Sequence, residues 1–126
     1  MSRENPLSKE IIGAAIEVHR QLGPGLLESA YEECLAHEFM LRDIQFERQK
    51  PLPVAYKGIK LDCGYRLDFL VAQSVIVELK AVERLMPIHE AQTITYLKLT
   101  HCKLGLILNF NVRLMKTGIK RVVLNL

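Results

Sequence analysis

The stretch Arg66–Lys80 limits the possible folds of this chain more than any other. Two runs of strand character, Arg66-Leu67-Asp68-Phe69-Leu70-Val71 and Val75-Ile76-Val77-Glu78-Leu79-Lys80, are separated only by Ala72-Gln73-Ser74. A loop this short makes the two runs adjacent antiparallel strands of a hairpin. Pairing Val71 with Val75 then sets Phe69 opposite Val77, Asp68 opposite Glu78 and Arg66 opposite Lys80. Leu67, Phe69, Val77 and Leu79 form one apolar face, and the charged residues gather on the other. Register is decisive, because a two-residue loop would send Asp68 and Glu78 to opposite faces.

Around this hairpin the apolar period changes in a definite order. Leu7, Ile11, Ala15, Val18 and Leu22 recur at steps of three and four and predict a first helix over 6–22, with Asn5 as N-cap and Pro6 at the first helical position. Gly23-Pro24-Gly25 stops it, and a second helix starts near Leu26 or Leu27, with Leu27, Tyr31, Cys34, Leu35 and Leu41 on its apolar side. From Phe46 the period becomes two, with a turn at Lys57-Gly58 and a return through Ile59, Leu61 and Cys63. Pro51 and Pro53 place the outgoing strand at an edge or make it irregular. Pro87 opens a third helix to about Thr100, with Ile88, Ala91 and Thr95 toward the sheet and His89, Gln92 and Tyr96 as a second stripe. Leu104–Phe110 and Ile119–Leu124 complete the set as strands.

The resulting order is ααββββαββ: an α/β chain in which a mixed β-sheet flanked by helices lets the apolar strand face and the amphipathic helices bury one another. The helix between Lys80 and Leu104 is long enough to cross over between parallel strands. At 126 residues the chain is expected to form a single domain over 1–126.

With 49% hydrophobic and 25% charged residues, the composition is that of a folded protein rather than a disordered segment. No apolar run is long enough to cross a bilayer, and the opening Met1-Ser2-Arg3-Glu4-Asn5-Pro6 is polar, so no membrane association and a cytoplasmic location are expected. Charge is uneven. Residues 1–63 carry 8 basic and 10 acidic side chains (net −2), against 9 and 4 (net +5) in residues 64–126. A basic second half is the electrostatic footprint expected of a partner rich in phosphate. Cys34, Cys63 and Cys102 are an odd set without a Cys-x-x-Cys pair, which points to buried free thiols rather than a disulfide framework or zinc ribbon.

The hairpin register puts Asp68 and Glu78 at a Cβ separation of about 4.5–5.5 Å. Two facing carboxylates repel unless a positive charge joins them. One solution is ionic: Arg66 and Lys80 lie on the same face and can pair with them across the strands. The other is a divalent cation, because two carboxylates, waters and phosphate oxygens make a typical Mg²⁺ shell, to which the Leu79 carbonyl can add. Beside such an ion, Lys80 would hold the attacking water or neutralise charge on a scissile phosphate.

Gly25-Leu26-Leu27-Glu28-Ser29-Ala30-Tyr31, with Val18-His19-Arg20-Gln21-Leu22-Gly23-Pro24 before it, resembles the small GxxExxY protein family, which is placed in the PD-(D/E)XK nuclease-like superfamily. Asp68 followed by Glu78-x-Lys80 is similar to the metal-binding pattern of that superfamily, and Gln92-Thr93-Ile94-Thr95-Tyr96 resembles the Gln-x-x-x-Tyr helix motif of RecB-like nucleases. The resemblance implies a restriction-endonuclease-like fold and Mg²⁺-dependent hydrolysis of DNA or RNA, with Mn²⁺ as a substitute. It implies Asp68 and Glu78 as metal ligands, Lys80 as the catalytic lysine, Glu28 as the helix glutamate near the site and Gln92 as a supporting residue. Leu67 precedes Asp68, where the superfamily name has proline. The alternative is a nuclease-like fold that binds nucleic acid or a protein, or forms a homodimer, without catalysis.

Other residues admit simpler roles. Glu28 in a first helical turn is favourable with the helix dipole, and Tyr31 reads as packing between helix and sheet. His19 and Tyr96 are auxiliary candidates, the former before the glycine turn and the latter one turn beyond Gln92. Gly23-Pro24-Gly25 lacks the Gly-Lys-Ser/Thr of a phosphate-binding loop, and no serine elbow or zinc set is present in the sequence.

Overall fold

The computed structural model describes residues 3–126; Met1 and Ser2, the first residues of the polar opening, lie outside the described residues. Helix α1 spans Glu4–Leu22 and α2 spans Glu28–Leu41. Strands β1 (Phe46–Pro51), β2 (Val54–Tyr56), β3 (Ile59–Leu61), β4 (Arg66–Val71) and β5 (Val75–Lys80) follow. Helix α3 (Pro87–Thr100), β6 (Leu104–Asn109), a 3-10 turn at Met115–Gly118 and β7 (Ile119–Val123) complete the chain. The main sheet has the order β1-β4-β5-β6-β7, and β2 pairs with β3 in a separate hairpin.

The sheet is mixed. β4 runs antiparallel to β5 with Val71↔Val75, Leu70↔Ile76 and Phe69↔Val77, the register set by the three-residue loop. β5 and β6 are parallel, Val75↔Leu104 through Lys80↔Asn109, joined by α3 as the crossover. Helices flank this sheet on both faces, the arrangement of a restriction-endonuclease-like α/β fold. On one face Ile11, Ala15 and Val18 of α1 and Tyr31, Leu35 and Phe39 of α2 pack on Phe69, Val77 and Leu79. On the other, Tyr96 and Leu97 of α3 pack on Leu70, Ile76 and Ile107.

Several local expectations are corrected. The strand region starting at Phe46 divides, because Pro53 cannot donate to a ladder and the chain leaves the sheet there, so five strands rather than four precede α3. β1 does lie at the sheet edge. Asn5 is not the N-cap of α1: the helix begins at Glu4, two residues earlier than expected, after Arg3, and the Asn5 side chain accepts a hydrogen bond from Arg121. Leu27 and Leu41 are exposed at the ends of α2, whose buried stripe is Tyr31, Leu35, Ala36 and Phe39. The cysteines are free thiols, but Cys63 is exposed beyond the β2–β3 hairpin and Cys34 and Cys102 are half-buried.

α3 is turned relative to its predicted orientation. Ile88, Ala91 and Thr95 are exposed, and Thr93, Tyr96 and Leu97 are buried. The reason lies on β6: Gly105 has no side chain, and a Cβ there would come within 2.7 Å of Thr93 Cγ2 and 3.7 Å of Leu97 Cδ2. The helix settles where glycine lets it approach the sheet. Gly105→Ala is therefore expected to destabilise the fold by about 1–3 kcal/mol in chemical denaturation. Adding Thr93→Ser, which removes Cγ2 and keeps the hydroxyl that donates to His89 O, is expected to recover part of the loss.

Candidate metal centre

The β4–β5 ladder ends at Phe69↔Val77, and beyond it the carboxylates take over the bonding. Glu78 Oε2 accepts the Asp68 N–H at 2.9 Å, and Asp68 Oδ2 accepts the Leu79 N–H at 2.8 Å. Each acid thus satisfies a backbone donor of the opposite strand that would otherwise be unpaired inside the protein. The two side chains are interlocked across the strand gap, and the expected strand pairings of Asp68 with Glu78 and of Arg66 with Lys80 are not formed.

β1 contributes a second irregularity at the same level. Its ladder with β4 runs from Phe46↔Val71 to Pro51↔Arg66 but omits Gln49 and Asp68. Gln49 has φ +52°, in the left-handed region. Strand alternation is interrupted at this position, and Leu67 is buried with Leu70 and Ile76 beneath α3 rather than with Phe69, Val77 and Leu79. The expectation of one apolar face containing all four residues is corrected accordingly.

Burial dominates the electrostatics. Glu78 is only 6% exposed. Removal from water, reinforced by the Asp68 charge, pushes its carboxyl from an ordinary 4.5 up to about 8, against the pull of the Asp68 N–H and of Lys80. Burial also raises Asp68, opposed by the Leu79 N–H and supported by the charges of Glu32 and Glu28. Glu28, in the first turn of α2, contributes to the upward shift of both acids. It is itself exposed.

The remaining candidates are placed as follows. Lys80 is half-buried at the end of β5 and stabilises the charged form of Glu78. Among the described residues, no ion pair joins Lys80 or Arg66 to either acid, so the cross-strand ionic arrangement is not formed. Tyr96 is buried, its ring 6.3 Å from that of Tyr65, and its hydroxyl pKa is raised by burial and then by Glu78, Tyr65 and Asp68. Gln92 is exposed one helical turn earlier, without a side-chain hydrogen bond among the described residues. His19 is engaged in a different contact: buried in α1, its Nε2 donates to Val112 O at 2.6 Å. Tyr31 is a structural residue of its motif, stacked on Phe110 with its hydroxyl donating to Gly23 O at 2.6 Å and accepting from Leu26 N at 3.1 Å.

Three supporting residues escaped the sequence reading. Glu32 and Gln49 adjoin Asp68, and the buried Asn109 holds Val82 just beyond Lys80 through both its N–H (3.1 Å) and its carbonyl (3.0 Å). The spacing of Glu28 and Glu32, four apart on one helix face, was a usable signal for the first. The left-handed backbone of Gln49 left no mark in the sequence.

The donor set suits a hard divalent cation: two carboxylates on neighbouring strands, with Glu78 buried and its Oε1 accepting no hydrogen bond among the described residues. Among those residues no group of three or more His, Cys, Asp or Glu side chains is placed to hold a metal. Further ligands would have to be water, backbone or substrate oxygens.

Comparison with protein families matches residues 5–122 to the PD-(D/E)XK nuclease superfamily. The chain belongs to this superfamily. Neither a curated protein nor a solved structure matches it. Superfamily membership associates the fold with Mg²⁺-using nucleases.

Because folding raises the Glu78 pKa, the folded chain binds its proton more tightly than the unfolded chain, and stability from this group falls as pH climbs from about 4.5 to about 8. In chelator, Glu78→Gln is expected to be more stable than the parent by about 2–4 kcal/mol at pH 8 and nearly equal to it at pH 5, in denaturation measured across that range. The amide keeps an acceptor for the Asp68 N–H and carries no buried charge.

Proposed function

We propose that this chain, acting as a single domain of the GxxExxY type, is a Mg²⁺-dependent phosphodiesterase that hydrolyses DNA or RNA, with Mn²⁺ able to replace Mg²⁺. The observation that carries this reading is the interlocking of the buried Glu78 with the half-buried Asp68. Their separation from water is unfavourable for two charges, and a cation between them removes the conflict.

Asp68 and Glu78 would hold the ion. When bound, it would polarise a phosphoryl oxygen and lower the pKa of water. The chain's own groups supply the rest. Lys80 has its ammonium on the Glu78 face of β5, where it neutralises charge on the scissile phosphate and holds the attacking water. Asn109 fixes the backbone that leaves β5 just after Lys80, limiting how far that lysine can wander. Glu28 keeps the surroundings negative, while Gln92 and Tyr96 on one stripe of α3 supply polar groups to orient water or phosphate. The net +5 of residues 64–126 draws in the polyanion.

A second reading, a nuclease-like module that binds nucleic acid or a protein without cutting, is favoured by the lack of a third protein ligand among the described residues. Labelled DNA and RNA titrated in chelator, then supplied with Mg²⁺, separate the two: binding without any Mg²⁺-dependent products supports the second.

Glu78→Gln is expected to abolish Mg²⁺-dependent cleavage in an assay of labelled single- and double-stranded substrates while leaving the chain folded. Lys80→Met is expected to lower turnover by about 10²-fold or more and to retain ion binding. Equal rates for the parent and Glu78→Gln, in preparations free of contaminating nuclease, would sink the assignment.

A further inference from the structure

Gln49 joins three observations that have no common structural explanation. It holds a left-handed backbone, φ +52°, inside an otherwise extended strand. A side chain with a Cβ adopts this conformation at a cost of about 1 kcal/mol, and such strain persists where the surrounding structure fixes it. It also lies at the one position omitted from the β1–β4 pairing, opposite Asp68. Finally, its Nε2 donates to Glu32 Oε1 at 2.6 Å and to Asp68 Oδ1 at 3.3 Å.

The bridge continues outward. Glu32 Oε2 accepts from Arg48 Nε at 2.7 Å, and the same guanidinium donates through Nη2 to Glu33 Oε1 at 2.6 Å. Both oxygens of Glu32 are therefore engaged, which fixes the acceptor on which the Gln49 amide rests. An extended backbone would turn the Gln49 side chain away from its present position, since neighbouring strand residues alternate between faces. The unfavourable dihedral accompanies a carboxamide held between a helix acid and Asp68.

We propose that Gln49 is a positioning residue for the cation site: its amide, braced by Glu32 and Arg48, orients Asp68 so that the carboxylate faces the bound ion. This rests on the reading of Asp68 and Glu78 as metal ligands. Outer groups that hydrogen-bond ligating carboxylates contribute about 10–100-fold to metal affinity. The other Asp68 oxygen accepts the Leu79 N–H, so the two bonds together set the plane of the carboxylate.

The test is direct Mn²⁺ binding, measured by the loss of the free-ion electron paramagnetic resonance signal, alongside thermal denaturation in chelator. Gln49→Gly removes the amide and keeps a residue that adopts the left-handed backbone freely. It is expected to weaken Mn²⁺ binding about 10-fold with the melting temperature unchanged or higher. Gln49→Asn, which also tolerates the left-handed region but is one methylene shorter, is expected to weaken binding as well. Parental Mn²⁺ affinity in the folded Gln49→Gly chain would overturn the proposal, provided that Glu78→Gln abolishes binding in the same experiment. If the parent chain itself binds no Mn²⁺, the metal-site reading fails and the role of Gln49 falls with it. If Gln49→Gly melts lower and loses affinity while Gln49→Asn binds as the parent does, Gln49 serves only the strand and the proposal is likewise overturned.

Discussion

The exchange of hydrogen bonds between Asp68 and Glu78 is the interaction on which the centre of this molecule depends. β4 and β5 part after Phe69↔Val77, and the N–H groups of Asp68 and Leu79 would be left unsatisfied without the two carboxylates. An open strand gap, a buried Glu78 interlocked with a half-buried Asp68, and a satisfied backbone are thus one feature. It also explains how an arrangement suited to a cation survives in the folded chain: the same carboxylates that would receive metal contribute to folding through their other oxygens. Their remaining electrostatic penalty is moderated by proton uptake on Glu78.

The sheet carries that pair into a defined setting. The parallel β5–β6 connection places α3 over one face, while α1 and α2 cover the other, so side chains from both layers converge where β4 and β5 diverge. Gly105 fixes the rotation of α3 and hence which of its stripes is buried. Tyr96 is brought into the electrostatic reach of the acids, and Gln92 remains at the surface one turn away. The local field is negative from Glu28 and Glu32, although the second half of the sequence is basic.

Much of this was legible because short loops leave little freedom. Ala72-Gln73-Ser74 determined the register of β4 and β5, and Pro87 marked the start of α3 at the residue where it is found. The mixed sheet and the crossover followed from the order of periods. What escaped depended on tertiary contact or on unusual dihedrals. Nothing in Gln49 as a residue type announces a left-handed strand position, and the transfer of Leu67 to the α3 side left no mark in the sequence either. The rotation of α3 is set by the absence of a side chain on another element, which helical periodicity cannot encode. Pro53 was visible as an irregularity, but the separation of β2 and β3 from the main sheet was not.

Tyr31 carries a consequence for how its motif is interpreted. Its ring lies on Phe110 and its hydroxyl ties together the carbonyl of Gly23 and the amide of Leu26, closing the bend between the first two helices. The Gly25-to-Tyr31 spacing is thus accounted for by the bend it closes, and the motif by itself reports architecture rather than turnover.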